Sequence, residues 1–137
     1  MKSWLVDTNV LIDHFQGDTH FGERAREILG EIAESGELVI NPVIYAELAG
    51  WFEAKEELDL LLPTDLFRHE PIPPTAAFLA GQVFRQYRQR GGQKKRMLAD
   101  FLIGAHATVQ GYGLISRDRG YGRYFRVEQL DPTAEIH

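Results

Sequence analysis

The sequence contains no cysteine, so disulfide bridges, thiol nucleophiles and cysteine-ligated metal centres are excluded. No apolar run approaches the roughly 20 residues that a membrane-spanning helix needs. The opening Met1-Lys2-Ser3-Trp4-Leu5-Val6-Asp7 meets an acid too early for a secretory signal, so none is expected, and the expected setting is cytoplasmic. His14, His20, His69, His106 and His137 show no paired ligand spacing, which sets a zinc site aside. Repeats and low-complexity segments are absent too. What remains is 137 residues of 44% hydrophobic content, enough for one domain (residues 1–137) with its own core and a loose tail from about residue 131.

Charge of one sign is also scarce, but locally. Residues 1–70 carry 15 acids and 5 bases, whereas residues 71–137 carry 5 acids and 10 bases. The net charge of −5 therefore conceals a basic second half, and between Pro71 and Val127 the only acids are Asp100 and Asp118. Such asymmetry points to a surface that faces a polyanion; the plainer reading is a solvated, drifting surface.

Four acids stand where an acid is hard to explain. Asp7 ends the run Ser3–Val6, Glu47 lies inside Val43–Ala49, Asp100 lies inside Met97–Gly104, and Asp118 follows Leu114-Ile115-Ser116. A carboxylate near a core loses hydration at high cost. Four of them suggest a shared partner, and a hard divalent cation prefers carboxylate oxygens. Each has a bland alternative: Asp7 as a turn or helix cap, Glu47 reaching past a thin apolar stripe, Asp100 paired with Arg96 one turn earlier, and Asp118 as a turn acid beside Arg117 and Arg119. Asp13 reads as a solvated helix acid.

Periodicity predicts strands at Ser3–Val6, Leu38–Ile40, Leu114–Ser116 and Tyr124–Leu130, with a short one near Leu66–His69. Helices are expected from an Asn9 cap to about His14 or Gln16, over Phe21–Ala33, from Pro42 to about Gly50, and over Glu56–Leu62, Thr75–Arg90 and Gln93–Gln110. Short strands alternating with helices give an α/β class, a three-layer α/β/α sandwich on a mostly parallel central sheet. In such sheets ligands bind beyond the carboxyl ends of the strands. Asp7 and Asp118 each follow a strand, so the four acids are expected to meet there in one oxygen-lined cage.

Four segments in order carry a resemblance: Val6-Asp7-Thr8-Asn9-Val10-Leu11-Ile12, Asn41-Pro42-Val43-Ile44-Tyr45-Ala46-Glu47-Leu48, Leu98 to Ala107 around Asp100, and Leu114-Ile115-Ser116-Arg117-Asp118. Together they resemble the PIN-domain ribonucleases, specifically the toxins of VapBC-type toxin–antitoxin pairs. The resemblance implies a PIN-like fold and Mg²⁺- or Mn²⁺-dependent endoribonuclease activity that leaves 5′-phosphate and 3′-hydroxyl ends. It carries the family's acidic quartet onto Asp7, Glu47, Asp100 and Asp118, with metal held by Asp7, Asp100 and Asp118. It carries supporting polar roles onto Thr8, Asn9 and Ser116. It also implies a homodimer, a small antitoxin partner, and RNA as substrate, with transfer RNA one admissible class. Two basic stretches are candidates to hold RNA. Arg88, Arg90, Lys94, Lys95 and Arg96, with Arg85, flank Gly91-Gly92. Arg117, Arg119 and Arg123, with Arg126, are interleaved with Tyr121, which is expected to stack on a base, and with Tyr124 and Phe125.

Three alternatives stand beside this reading. One is a PIN-like RNA-binding module without activity, and another a solitary RNA-processing nuclease with no antitoxin. The third, a haloacid-dehalogenase-like phosphatase, needs an acid two residues after Asp7, where this chain has Asn9.

Overall fold

The computed structural model describes residues 1–17, 19–91 and 96–134. Five strands form one sheet: β1 (Lys2–Val6), β2 (Gly36–Ile40), β3 (Phe67–His69), β4 (Gly113–Ile115) and β5 (Gln129–Leu130). Their order is β3-β2-β1-β4-β5, and every neighbouring pair is parallel. Six α-helices connect them: α1 (Thr8–Gln16), α2 (His20–Ser35), α3 (Pro42–Ala49), α4 (Lys55–Leu61), α5 (Pro74–Gln89) and α6 (Leu98–Gln110). A single 3₁₀ turn, Arg119–Arg123, lies between β4 and β5.

The chain steps outward from β1 to β2 and β3, then returns to place β4 on the other side of β1. Right-handed crossovers in opposite directions put helices on opposite faces, which yields the three-layer sandwich. Leu5, Val6, Leu38, Val39, Ile40, Leu114 and Ile115 are all buried, as strands covered on both faces must be. The reversal of direction between β1 and β4 opens a crevice at their carboxyl ends, and Asp7 and Ser116 are the residues that follow those two strands.

Four boundaries differ from the sequence expectation. Asp7, not Asn9, caps α1, accepting from the Thr8 amide. Helix α6 starts at Leu98, not Gln93, because Met97 is extended and its amide donates to the Asp100 carboxylate one turn inside. Arg96 is thus off the helix, and the alternative reading of Asp100 as the helical partner of Arg96 does not hold: Arg96 pairs with Asp118. The strand expected over Tyr124–Leu130 shrinks to Gln129–Leu130, because Tyr121, Tyr124 and Phe125 pack against α5 and α6 instead. Finally, Asp131–Ala134 form a turn rather than loose chain: Asp131 accepts from Thr133, and Arg24 donates to the Pro132 carbonyl. Residues 135–137 of the expected tail, like Gly92 and Gln93, lie outside the described residues.

An aromatic cluster anchors the segment after β4. Phe101 of α6 lies 5.3 Å from the rings of Phe84 and Tyr87, 5.2 Å from Tyr124 and 6.2 Å from Phe125. Gly104, one turn beyond Phe101, admits this packing, since a Cβ there would overlap the Phe125 ring and come within 3.1 Å of Tyr121. Gly104→Ala is therefore expected to lower stability by about 1–3 kcal/mol through overpacking, despite the higher helix propensity of alanine. Urea denaturation of the two proteins checks this; an unchanged or raised midpoint would contradict it.

Candidate active site

Asp7 is the centre of the arrangement. It is only 5% exposed, and its two oxygens have different partners. Oδ1 accepts from the Thr8 amide at 2.8 Å. Oδ2 accepts from Ser116 Oγ at 2.7 Å, Tyr121 OH at 3.0 Å and Asn9 Nδ2 at 3.3 Å. Burial raises the Asp7 carboxyl to about 6, against the lowering effect of the hydrogen bonds from Ser116, Tyr121 and Thr8, with the Glu47 charge adding to the rise. No arginine or lysine is paired with it among the described residues.

Ser116 and Asn9 join β4 to α1. Ser116 Oγ accepts from the Asp118 amide at 3.0 Å and from Asn9 Nδ2 at 3.3 Å, while Asn9 Oδ1 accepts from the Arg117 amide at 3.2 Å. Thr8 Oγ1 donates to Glu47 Oε1 at 2.6 Å, which ties α3 to the start of α1. Asn41 fixes α3 in turn, capping it through a 2.9 Å bond from the Ile44 amide.

Asp118 is half-buried and held by three hydrogen bonds. Arg96 reaches it with a two-pronged pair, Nη1 to Oδ2 at 2.5 Å and Nη2 to Oδ1 at 2.8 Å, and the Gly120 amide adds a bond to Oδ1 at 2.9 Å. Burial would raise this carboxyl, but the Arg96 fork, the Gly120 amide and the Arg96 charge outweigh it and hold it below the usual range. Asp100 is half-buried on the first turn of α6. It shares an open cleft of about 830 Å³ with Tyr87, Arg96, Asp118, Arg119, Gly120, Arg123 and Tyr124.

The four acids are thus brought to one end of the sheet, but not into a closed cage. Among the described residues, no three carboxylates or imidazoles stand close enough to surround an ion on their own. The premise of shared burial also needs correction. Asp7 is buried, Asp100 and Asp118 are half-buried, and Glu47 is exposed on the short helix α3, where Ile44 and Leu48 take the buried positions.

Tyr121 and Asp13 also depart from expectation. Tyr121 is 2% exposed and points its hydroxyl at Asp7, so it cannot stack on a base. Burial first, then the charges of Asp7, Asp100 and Asp118, push its ionisation far above the usual phenol range, so it stays a neutral donor. Asp13 is not a solvated acid: it is 6% exposed and held by Arg117 Nε at 2.6 Å and Nη2 at 3.2 Å. The two lie 104 positions apart, so no local spacing could reveal the pair. It also commits Arg117, which further covers the Phe21 ring.

Of the other expected RNA contacts, Arg88, Arg90, Arg119 and Arg123 are exposed, and Arg119 reaches Asp131 at 3.4 Å. Arg90 and Arg123 line a smaller cleft with Val83, Gln86, Tyr87 and Tyr124, and those two tyrosines also line the main cleft. Lys94 and Lys95 lie outside the described residues.

The chain matches the PIN domain family model over residues 4–126. It belongs to the PIN domain family. Within that family it is similar to Ribonuclease VapC10 of Mycobacterium tuberculosis, with 34% identity over 132 residues that cover 96% of this chain and 93% of the relative. Solved structures share the PIN fold. VapBC-1 from nontypeable Haemophilus influenzae superposes with a TM-score of 0.74 at 19% identity, covering 96% of this chain and 98% of that one. FitAcB from Neisseria gonorrhoeae superposes with a TM-score of 0.72 at 22% identity, covering 96% and 99%. The phosphatase alternative has no footing in this PIN chain: Asn9 donates to Asp7 where that mechanism needs a second acid.

Proposed function

We propose that this PIN-domain chain is a divalent-metal-dependent endoribonuclease and the toxin of a toxin–antitoxin pair. The observation that carries the catalytic part is Asp7, a buried carboxylate with hydroxyl and amide donors but, among the described residues, no base paired with it. The relationship to Ribonuclease VapC10 over nearly the whole of both chains supports RNA as substrate.

The donor set fits a hard cation in kind. Asp7 and Asp100 would hold it, with Asp118 joining when Arg96 releases it and Glu47 at the margin. Bound there, Mg²⁺ or Mn²⁺ supplies an acidified water and neutralises charge on the phosphate. Everything else falls to this chain's side chains. Ser116, Asn9 and Tyr121 fix the Asp7 carboxylate in one orientation, and the neutral Tyr121 lends it a proton donor without adding charge. Glu47, exposed and held by Thr8, is placed to accept a proton from an attacking water. Arg88, Arg90, Arg119 and Arg123 grip the backbone along the cleft that Tyr87 and Tyr124 line. RNA is a cytoplasmic substrate, and a homodimer and a small antitoxin covering this cleft complete the proposal.

The direct test is cleavage of a mixed RNA substrate with EDTA, then with Mg²⁺ or Mn²⁺ restored. Cutting should vanish with chelation and return with either ion. RNA affinity should fall by roughly tenfold or more between 50 and 200 mM salt if several arginines contact phosphates. Wild-type cleavage that survives EDTA would overturn the metal assignment. The toxin assignment is tested on the genomic neighbourhood: a small reading frame directly upstream whose product abolishes cleavage is expected, and the absence of such a frame or cleavage unaffected by its product would favour a solitary nuclease.

A further inference from the structure

Arg96 is bound more specifically than a general phosphate contact requires. Its guanidinium forks onto both oxygens of Asp118, lies 5.8 Å from the Tyr121 ring centre, and follows a backbone amide that donates to Tyr87 OH at 3.3 Å. With the Gly120 amide also on Oδ1, three of the roughly four acceptor sites of Asp118 are taken, two of them by Arg96. The fork geometry that suits a carboxylate also suits a phosphate. Arg96 lines the same cleft as Asp100, Arg119 and Arg123, so the exchange needs only side-chain rotation.

We propose that Arg96 is a displaceable counter-ion that competes with the divalent cation for Asp118 and is drawn off by a substrate phosphodiester, so that cation and RNA bind with positive coupling. The proposal rests on the cation-dependent reading given above. Without cation and RNA, Arg96 neutralises Asp118 and holds the segment after β4 in place. With RNA in the cleft, the guanidinium trades one anion for another, and Asp118 becomes available at little electrostatic cost.

Gly120 provides the means of testing it. A Cβ at this position would overlap Arg96 Nη2 and lie 3.1 Å from Asp118 Oδ1, and the residue's backbone is outside the left-handed region, so alanine is sterically acceptable once Arg96 moves. Gly120→Ala therefore evicts the guanidinium while leaving every charge in place. Mn²⁺ binding, read from the electron paramagnetic resonance of the free ion, is compared for wild type, Gly120→Ala and Arg96→Gln, each with Asp118 and with Asp118→Asn. Both single variants should bind Mn²⁺ roughly tenfold more tightly than wild type, the lower end of what a competing charge-assisted pair is worth. Neither should gain in the Asp118→Asn background. A short 2′-O-methyl oligoribonucleotide should tighten Mn²⁺ binding to wild type and have little effect on Gly120→Ala.

Gly120→Ala and Arg96→Gln binding Mn²⁺ no better than wild type would overturn the proposal, as would a gain that survives Asp118→Asn or an oligonucleotide without effect on wild type. If Gly120→Ala fails to fold, Arg96→Gln in the two backgrounds decides. Mn²⁺ binding without Arg96 dependence removes only this inference. Failure of wild type and every variant to bind Mn²⁺ removes the cation reading as well.

Discussion

Asp7→Asn is expected to abolish RNA cleavage, by roughly 10³-fold or more, while making the protein more stable. The two effects share a cause. The Asp7 carboxyl is raised from the ordinary aspartate value near 4 to about 6 because burial strips its charge of water. A carboxyl raised on folding binds its proton more tightly in the native state, so stability falls as pH climbs from about 4 through 6. Above that window the ionised group costs about 3 kcal/mol. Asparagine removes the charge but keeps the size. With its oxygen in the place of Oδ2, it still accepts from Ser116, Tyr121 and Asn9. One donor, the Thr8 amide, then loses its partner, so the net gain at neutral pH should be smaller, about 1–2 kcal/mol, or a few degrees in melting temperature. Mg²⁺ should raise the melting temperature of wild type and not of the variant, since only a native-state ligand site stabilises. Thermal melts at pH 4.5 and 7.5 check all three statements. A variant that still cuts RNA, or one that is destabilised at neutral pH, would show that Asp7 is a structural cap and not the centre of a cation site.

The sequence disclosed the sheet, and it put four acids forward as candidates, because both are local signals. Leu38-Val39-Ile40 and Leu114-Ile115 are short apolar runs bounded by breakers, and they proved to be strands buried on both faces. Asp7 and Asp118 follow strands, and position after a strand determines which end of a parallel sheet a side chain occupies. What could not be read was which base compensates which acid. Arg96 stands four residues before Asp100, and helical spacing made that pair look natural. The Asp100 carboxylate instead takes the Met97 amide, starts the helix at Leu98, and leaves Arg96 to reach Asp118. Arg117 pairs with Asp13 across most of the chain, and Tyr121 turns inward because the residue opposite it in α6 is Gly104. Periodicity carries no information about such partners. The polar interior is set by tertiary geometry, and there the expectation of an arginine-rich, tyrosine-bearing RNA surface was partly misplaced.

The connector before α5 illustrates this most strongly, and removing its glutamate should have the largest effect on stability. Glu70 follows β3 and gathers four donors: His106 Nε2 and Arg68 Nη1, both at 2.5 Å, Tyr112 OH at 2.7 Å, and Gln110 Nε2 at 3.4 Å. His106 is fully buried, and Asn41 Nδ2 lies 3.0 Å from its Nδ1. The Asn41 amide cannot turn over, because its Oδ1 caps α3 through Ile44. Nδ1 must then accept, Nε2 must carry the proton, and the acceptor it meets is Glu70. Glu70→Ala strands that buried N–H and leaves Arg68, which is 39% exposed in its side chain, with Glu37 and water. A broken buried pair costs roughly 3–5 kcal/mol; with Arg68 partly solvated, about 3 kcal/mol is expected. Glu70→Gln should recover little, since its amide nitrogen or its oxygen, but not both, can serve His106 and the Arg68–Tyr112 side. The pH dependence separates this from simple loss of packing. Burial alone would raise the Glu70 carboxyl, but the hydrogen bonds from Tyr112, Arg68 and His106 outweigh it and hold it at about 2. Because the native value is depressed, the stabilisation is complete above the unfolded value near 4.3 and is lost as pH falls through 2. The gap between wild type and Glu70→Gln, measured by urea denaturation, should therefore be constant from pH 5 to 7 and narrow steadily below about 4. A gap that stays unchanged at pH 3 would mean that the side chain matters for its volume and not for its charge.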